Sequence, residues 1–213
     1  MELTTGTTPL PTQIELNGLR VPAIFDCNPW NANGSRWSRH DYYYAVPSRW
    51  WACEELEAQI KAGISIVVPR PPLIDDEYVE HVAVRQSVLR ARANGAFVMA
   101  EIGARWGPWG FRAAALARVA RPDLMPLHLH YVEPNQAACD GIHAVAKLNS
   151  FRAWTSVDCT LASAQGFAAW AARHEHIDLV DIDIQGFEQY FVPQIAPILQ
   201  RKVYRVIVGT HGL

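Results

Sequence analysis

Phe97-Val98-Met99-Ala100-Glu101-Ile102-Gly103-Ala104-Arg105-Trp106-Gly107 decides how the rest of the chain is read. Its first six residues are apolar except Glu101 and stop abruptly at a glycine. The run is short and lacks the alternation of a half-solvated strand, so it reads as a strand buried on both faces. Gly103 and Gly107 let the backbone turn tightly and let another group approach the main chain. Phe111 to Val119 is Ala-rich and reads as the helix that follows.

Downstream the same unit recurs. Leu127 to Val132 reads as a second strand and Asn135 to Leu148 as a second helix. Ala153 to Val157 is a weaker third strand, with a helix from about Leu161 to His174. Ile177 to Ile182 is a fourth strand. Phe187 to Leu199 follows as a helix interrupted near Pro193 and Pro197, and Val203 to Val208 is a fifth strand. Strands alternating with helices over short joins imply parallel strands and right-handed crossovers. The expected fold class is α/β: a doubly wound, mostly parallel, Rossmann-like sheet. Upstream, Asp75-Asp76 caps a helix running to about Ala93 and stopped by Asn94-Gly95. Val84, Val88 and Ala91 share one stripe of it, Tyr78, Val82 and Leu89 another, while Arg85, Arg90 and Arg92 can lie outward.

Residues 1–74 have a different texture, dense in Pro, Asn, Trp and Tyr. A helix is expected at about Ser48 to Ala62 and a short extended run at Ile64 to Val68, stopped by Pro69-Arg70-Pro71-Pro72. The expected organisation is an N-terminal segment over 1–74 and an α/β domain over 75–213. That segment is either an aromatic lid over an acceptor or an accessory layer on the sheet edge. The chain stops just after the fifth strand, at Gly209-Thr210-His211-Gly212-Leu213. It therefore reads as a fragment, or as a domain whose edge is covered by the N-terminal part or by a partner, a second copy included.

The 213 residues fit one large domain, with or without a lid. Half of them are hydrophobic and 19% charged, which excludes wholesale disorder. A net charge of -2 offers no basic surface for nucleic acid. No run approaches the ~20 apolar residues that span a bilayer, and the polar N-terminus lacks a signal pattern. The expectation is a soluble cytosolic protein with neither nucleic-acid nor membrane partners. Cys27, Cys53, Cys139 and Cys159 are scattered without a Cys-x-x-Cys pair, and read as buried or idle thiols rather than a disulfide or zinc framework. His128 and His130 read as packed or surface imidazoles, not metal ligands. His174 and His176 end a helix, where cationic His is favoured.

In an open α/β sheet a ligand sits beyond the C-terminal strand ends, and here an acid stands at each of the first four. Glu101 precedes the glycine loop, Glu133 follows the second strand, Asp158 the third, and Asp181 and Asp183 the fourth. A dinucleotide would want Gly-x-Gly-x-x-Gly, but Arg105 takes the second glycine position and Gly107 arrives one residue off. Glu101 before the loop would repel a phosphate and suits a cation. S-adenosylmethionine, a sulfonium with a free amino group, matches better than NAD. Glu133 can accept both ribose hydroxyls, each such bond contributing ~1.5–3 kcal/mol. Other readings stand beside these. Glu133 and Asp158 could serve as helix caps, and Asp178 as a solvated strand start. Asp181 with Asp183 could mark a solvated strand end, carry a raised pKa or hold a cation between them. Arg105 could pair with an acceptor or with Glu101, and Trp106 or Trp109 could cover the cofactor or simply pack.

Three blocks in order resemble the FkbM family of S-adenosylmethionine-dependent methyltransferases: Phe97 to Gly107, Tyr131-Val132-Glu133-Pro134-Asn135, and Ile177 to Glu188. The second resembles that family's Glu-Pro element, and Asn149 its later Asn. The third resembles its Asp-x-Glu-Gly-x-Glu element, and Val206 to His211 is similar to its last recognisable strand. Gln185 stands where the family commonly has Glu, and Asp181 where it commonly has Lys. The resemblance implies a class I methyltransferase fold and methyl transfer to a hydroxyl of a small sugar or natural product. Glu101, Gly103, Ala104 and Gly107 would form the cofactor loop, with Asp181 beside it. Glu133 would hold the ribose, and Asp158, by analogy with class I folds in general, the adenine. Asp183 or His211 would relieve charge on the acceptor. The rival readings are a nucleotide- or NAD-binding enzyme on a similar sheet, and a non-catalytic domain that kept the fold.

Overall fold

The computed structural model describes residues 4–5, 8–9, 12–15, 17–22, 66–67, 78–93 and 95–210. The chain divides into two compact units, Met1–Tyr78 and Val79–Leu213. The helix expected at 48–62, the prolines at 69–72, the Asp75-Asp76 cap and His211 lie outside the described residues.

In the first unit Thr12–Ile14 pairs antiparallel with Arg20–Pro22 and parallel with Ile66–Val67. Thr4–Thr5 and Thr8–Pro9 form a separate antiparallel pair. Leu19 and Val21 are fully buried there.

The helix α1 (Tyr78–Arg90) belongs to the second unit from Val79 onward. Then come β1 (Phe97–Ile102), α2 (Pro108–Ala120), β2 (Leu127–Val132), α3 (Gln136–Leu148), β3 (Thr155–Asp158), α4 (Ala164–Ala171), β4 (Leu179–Ile182), α5 (Glu188–Lys202) and β5 (Val206–Val208). The strands are all parallel, in the order β5-β4-β1-β2-β3. The chain runs outward from β1 to one edge, returns, and runs to the other, which puts the switch point between β1 and β4.

Both faces are covered, as the unbroken burial of β1 requires. On one face Val98, Ala100, Ile102, Val132, Val180 and Ile182 pack against Phe167 and Trp170 of α4 and Phe191 and Ile195 of α5. On the other, the Tyr131 ring packs tilted against Phe111 of α2 at 5.0 Å, and Phe111 stacks on Phe151 at 6.2 Å. Gln86 of α1 accepts from Arg205 at the approach to β5, 3.0 Å. Of the α1 stripes, Val84 and Val88 are buried, while Tyr78 and Leu89 are exposed.

Several expectations need correction. The α5 helix is continuous through Pro193 and Pro197. Both prolines are exposed and four residues apart, so the hydrogen bonds they forgo lie on the water side, while Phe191 and Ile195 anchor the other. The α2 helix starts earlier than its alanines suggest because Pro108 takes its first position. The α4 helix starts at Ala164, capped by Ser163, whose Oγ accepts from Gly166 N, and is shorter than expected. Lys202 covers its end, donating to the carbonyls of Ala171 (3.0 Å) and His174 (2.7 Å). A cationic His174 is therefore not favoured there: burial lowers its pKa, aided by His128, Arg173 and Lys202. Asp178 is not a solvated strand start. It is buried, and its Oδ2 takes the Val98 N–H at 2.9 Å in place of a ladder carbonyl. Cys139 and Cys159 are not idle thiols; they form a disulfide. Among the described residues no helix is long and apolar enough to cross a membrane.

Candidate active site

Tyr131, Glu101 and Asp181 stand in register on β2, β1 and β4, so their side chains share the face that carries α2. Glu101 is buried, and its carboxylate reaches the start of α2. Oε2 accepts from Gly110 N at 2.8 Å and Oε1 from Trp109 N at 3.4 Å. Pro108 has no N–H, and Phe111 N donates to Gly107 O at 3.1 Å. The first-turn donors of α2 are thus all used, and a carboxylate already holds the positive end of the helix.

Burial pushes the Glu101 pKa well up, and Asp181 beside it pushes the same way; the two α2 amides oppose. Asp181 is pushed up to about 8 by burial, then by Asp183 and Glu80. One row of the sheet therefore holds a buried carboxyl pair that resists full ionisation at neutral pH. The Tyr131 hydroxyl, fully buried, has no hydrogen-bond partner among the described residues. Burial and Glu101 both raise its pKa.

The loop after β1 is shaped by its glycines. Gly103 has φ +85°, and a Cβ there would collide with the carbonyl of Asp183, so this loop lies directly on the exit of β4. Gly107, at φ +78°, caps α2, and a Cβ would meet the rings of Tyr131 and Phe111. Gly103 and Ala104 both donate to Val132 O, at 2.8 and 3.1 Å. Arg105, exposed and at φ +49°, donates its backbone N–H to Glu133 Oε2 at 2.9 Å. Glu133 Oε1 accepts from Asn135 N at 2.9 Å. Glu133 thus ties the loop after β1 to the loop after β2. It is not the cap of α3; Asn135 is, through Ala137 and Ala138. Trp106 and Trp109 are buried, with the Arg112 guanidinium over both rings at 5.5 and 4.9 Å.

A shallow cleft, with a cavity volume of about 20 Å³, opens at the ends of β1, β2 and β3. Ile102, Val132, Asp158, Leu161, Phe167 and Phe191 are among its walls. Asp158 is half exposed, its carboxylate 3.6 Å from Nε2 of His130. His130 is buried flat against Trp170, its Nδ1 is 3.0 Å from Ser156 Oγ, and burial lowers its pKa to about 4.

Beyond β4, Asp183 N donates to Ile102 O at 2.9 Å, and its Oδ1 accepts from Gln185 at 3.0 Å. Gly209, after β5, lies against the same carboxylate. Glu188 holds this loop: its two oxygens accept from Ile184 N at 2.7 Å and Gly186 N at 2.8 Å. The structure therefore gathers Glu101, Gly103, Ala104, Gly107, Glu133, Asp181 and Asp183 around the ends of β1, β2 and β4, with Asp158 at the neighbouring end of β3. Glu188 was not expected to matter, although it sits in the quoted Asp183 to Glu188 block. Among the described residues no group of three or more His, Cys, Asp or Glu is arranged to hold a metal ion.

No protein-family model and no curated protein matches this chain. Many solved structures do. The METTL16 methyltransferase domain is 13% identical, with a TM-score of 0.50, covering 86% of this chain and 71% of that one. The fold is the Rossmann-like fold of the class I methyltransferases. Precorrin-6y C5,15-methyltransferase from Geobacter metallireducens is 21% identical, with a TM-score of 0.42, covering 68% of each chain. TrmK of M. capricolum, solved with S-adenosyl-homocysteine, is 15% identical with a TM-score of 0.36, covering 59% of this chain and 49% of that one.

Proposed function

We propose that the chain is an S-adenosylmethionine-dependent methyltransferase acting on a hydroxyl group of a small sugar-like or natural-product acceptor. One observation carries the choice of cofactor: the Glu101 carboxylate occupies the N-terminus of α2. In a dinucleotide enzyme on this kind of sheet, the pyrophosphate sits there. Here it would find no free first-turn donor and would meet a carboxylate. A sulfonium bearing an ammonium needs none of those donors, and the partly ionised Glu101–Asp181 pair does not repel it.

The residues fit such a ligand. Each Glu133 oxygen accepts one backbone N–H and keeps lone-pair capacity for a ribose hydroxyl. The cleft behind Val132 offers apolar walls and, at its rim, the Asp158 carboxylate to a base. Gly103 lets its loop lie against the Asp183 carbonyl, which brings Asp183 beside these groups. When bound, the cofactor supplies an electrophilic methyl group.

The chain's own share is positional. Glu133, the glycine loop and the cleft fix the methyl donor, and the Glu188-held loop fixes Asp183 beside it. Asp183 Oδ would accept the acceptor's hydroxyl proton, so that the acceptor oxygen could take the methyl group while the sulfur leaves as a neutral thioether. The resemblance of the Asp183 to Glu188 block to the FkbM element supports this assignment.

Calorimetric titration with S-adenosyl-homocysteine and, separately, with NAD tests the reading. The expected result is roughly micromolar binding of the former and none of the latter. Tighter NAD binding, or no S-adenosyl-homocysteine binding, would overturn it.

A further inference from the structure

Cys139 and Cys159 form a disulfide with Cα atoms 6.0 Å apart, and both sequence neighbours of Cys159 line the cleft. Cys139, in α3, is 1% exposed, and its Sγ lies 3.2 Å from the carbonyl oxygen of Glu133. Cys159 is exposed. It directly follows Asp158 and precedes Thr160, Leu161, Ala162 and Ser163, which line the cleft with Asp158. The bridge therefore joins α3, at a point that touches the Glu133 carbonyl, to the loop that lines the cleft. Besides the bridge, that loop is held by Ala162, which packs against the core, and by a few polar contacts. Thr160 N donates to Asp158 O at 2.9 Å, Ser163 caps α4, and Leu161 is 74% exposed.

We infer that Cys159 is a reversible thiol-exchange site, at which a small-molecule thiol or disulfide sets how tightly the pocket holds its nucleoside. This rests on the cofactor reading above. Access directs the chemistry, because only the Cys159 sulfur faces water. A small thiolate attacks it, a mixed disulfide forms at Cys159, and Cys139 leaves as a thiolate and is protonated. A second small thiol attacks the mixed disulfide, freeing Cys159 and releasing the small disulfide. In balance, the protein disulfide gains two electrons and two protons, and two small thiols become one disulfide. The reverse direction uses a small disulfide as oxidant. Opening the bridge returns conformational freedom to residues 159–163, so the fraction of molecules with a formed pocket falls and apparent affinity falls with it.

The test uses the full chain carrying Cys27→Ser and Cys53→Ser, which leaves this pair alone. The protein is oxidised with glutathione disulfide or reduced with dithiothreitol, and its thiol content is checked by titration and intact mass. S-adenosyl-homocysteine is titrated into each form. The expected result is roughly tenfold weaker binding when reduced, restored on reoxidation. A further Cys159→Ala variant should show the weaker affinity in both conditions. Equal affinity in the two forms, or failure of the pair to oxidise, overturns this inference and leaves the cofactor reading standing. Absence of binding in both forms overturns both.

Discussion

At the scale of single residues, three positions separate packing from chemistry. Glu133 makes two backbone hydrogen bonds that bind adjoining loops. Glu133→Gln should keep the fold but weaken S-adenosyl-homocysteine binding by about 10- to 100-fold, as expected for loss of one or two charge-assisted bonds. Calorimetry on the folded variant checks this, and unchanged affinity would remove Glu133 from the site. Gly103→Ala puts a Cβ into the Asp183 carbonyl at φ +85°. It should cost about 2 kcal/mol or more in denaturant unfolding; a near-neutral result would mean the two loops do not touch.

Asp181 carries a pH signature. Its folded pKa of about 8 exceeds the ordinary 3.8. Between these values the folded chain holds a proton that the unfolded chain has released, so stability falls as pH rises through that window and levels off above it. Asp181→Asn should flatten this fall, melting higher than the parent at about pH 9 and differing least near pH 4. Parallel slopes across that range would refute the raised pKa. The strand-end acids were legible because they end apolar runs. The burial of Asp178 and the pairing of Cys139 with Cys159 were not, because both are long-range contacts that local spacing does not encode.

At the scale of elements, strand centres were readable and their ends were not. The β4 and β5 strands begin late because Asp178 replaces a ladder bond with its side chain, and because Ile177 meets Val203 only as an isolated bridge. The α5 helix keeps going through two prolines because its buried stripe, not its backbone donors, decides its length. Its first residue matters most. Glu188→Ala strips the acceptors from Ile184 N and Gly186 N, in a loop where Gln185 and Gly186 hold positive φ. The expected loss is about 1–3 kcal/mol in unfolding free energy, with faster amide exchange confined to residues 183–187. Unchanged exchange there would show that the loop stands without Glu188.

At the scale of the whole second unit, alternation of strand and helix was enough to read a parallel, doubly wound sheet. It could not give the order β5-β4-β1-β2-β3, which follows from how the two faces pack. That order places Glu101, Glu133 and Asp183 at the ends of three neighbouring strands, although they span more than 80 positions of sequence. The site is thus a product of topology, and the acids would mean little on any other arrangement of the same strands. A crystal structure of the chain grown with S-adenosyl-homocysteine tests this most directly. The prediction is ribose hydroxyls on the Glu133 carboxylate, the base in the cleft beside Asp158, and the sulfur over Gly103 facing Asp183. Ligand bound elsewhere, or the strand ends left empty at saturating ligand, would contradict it.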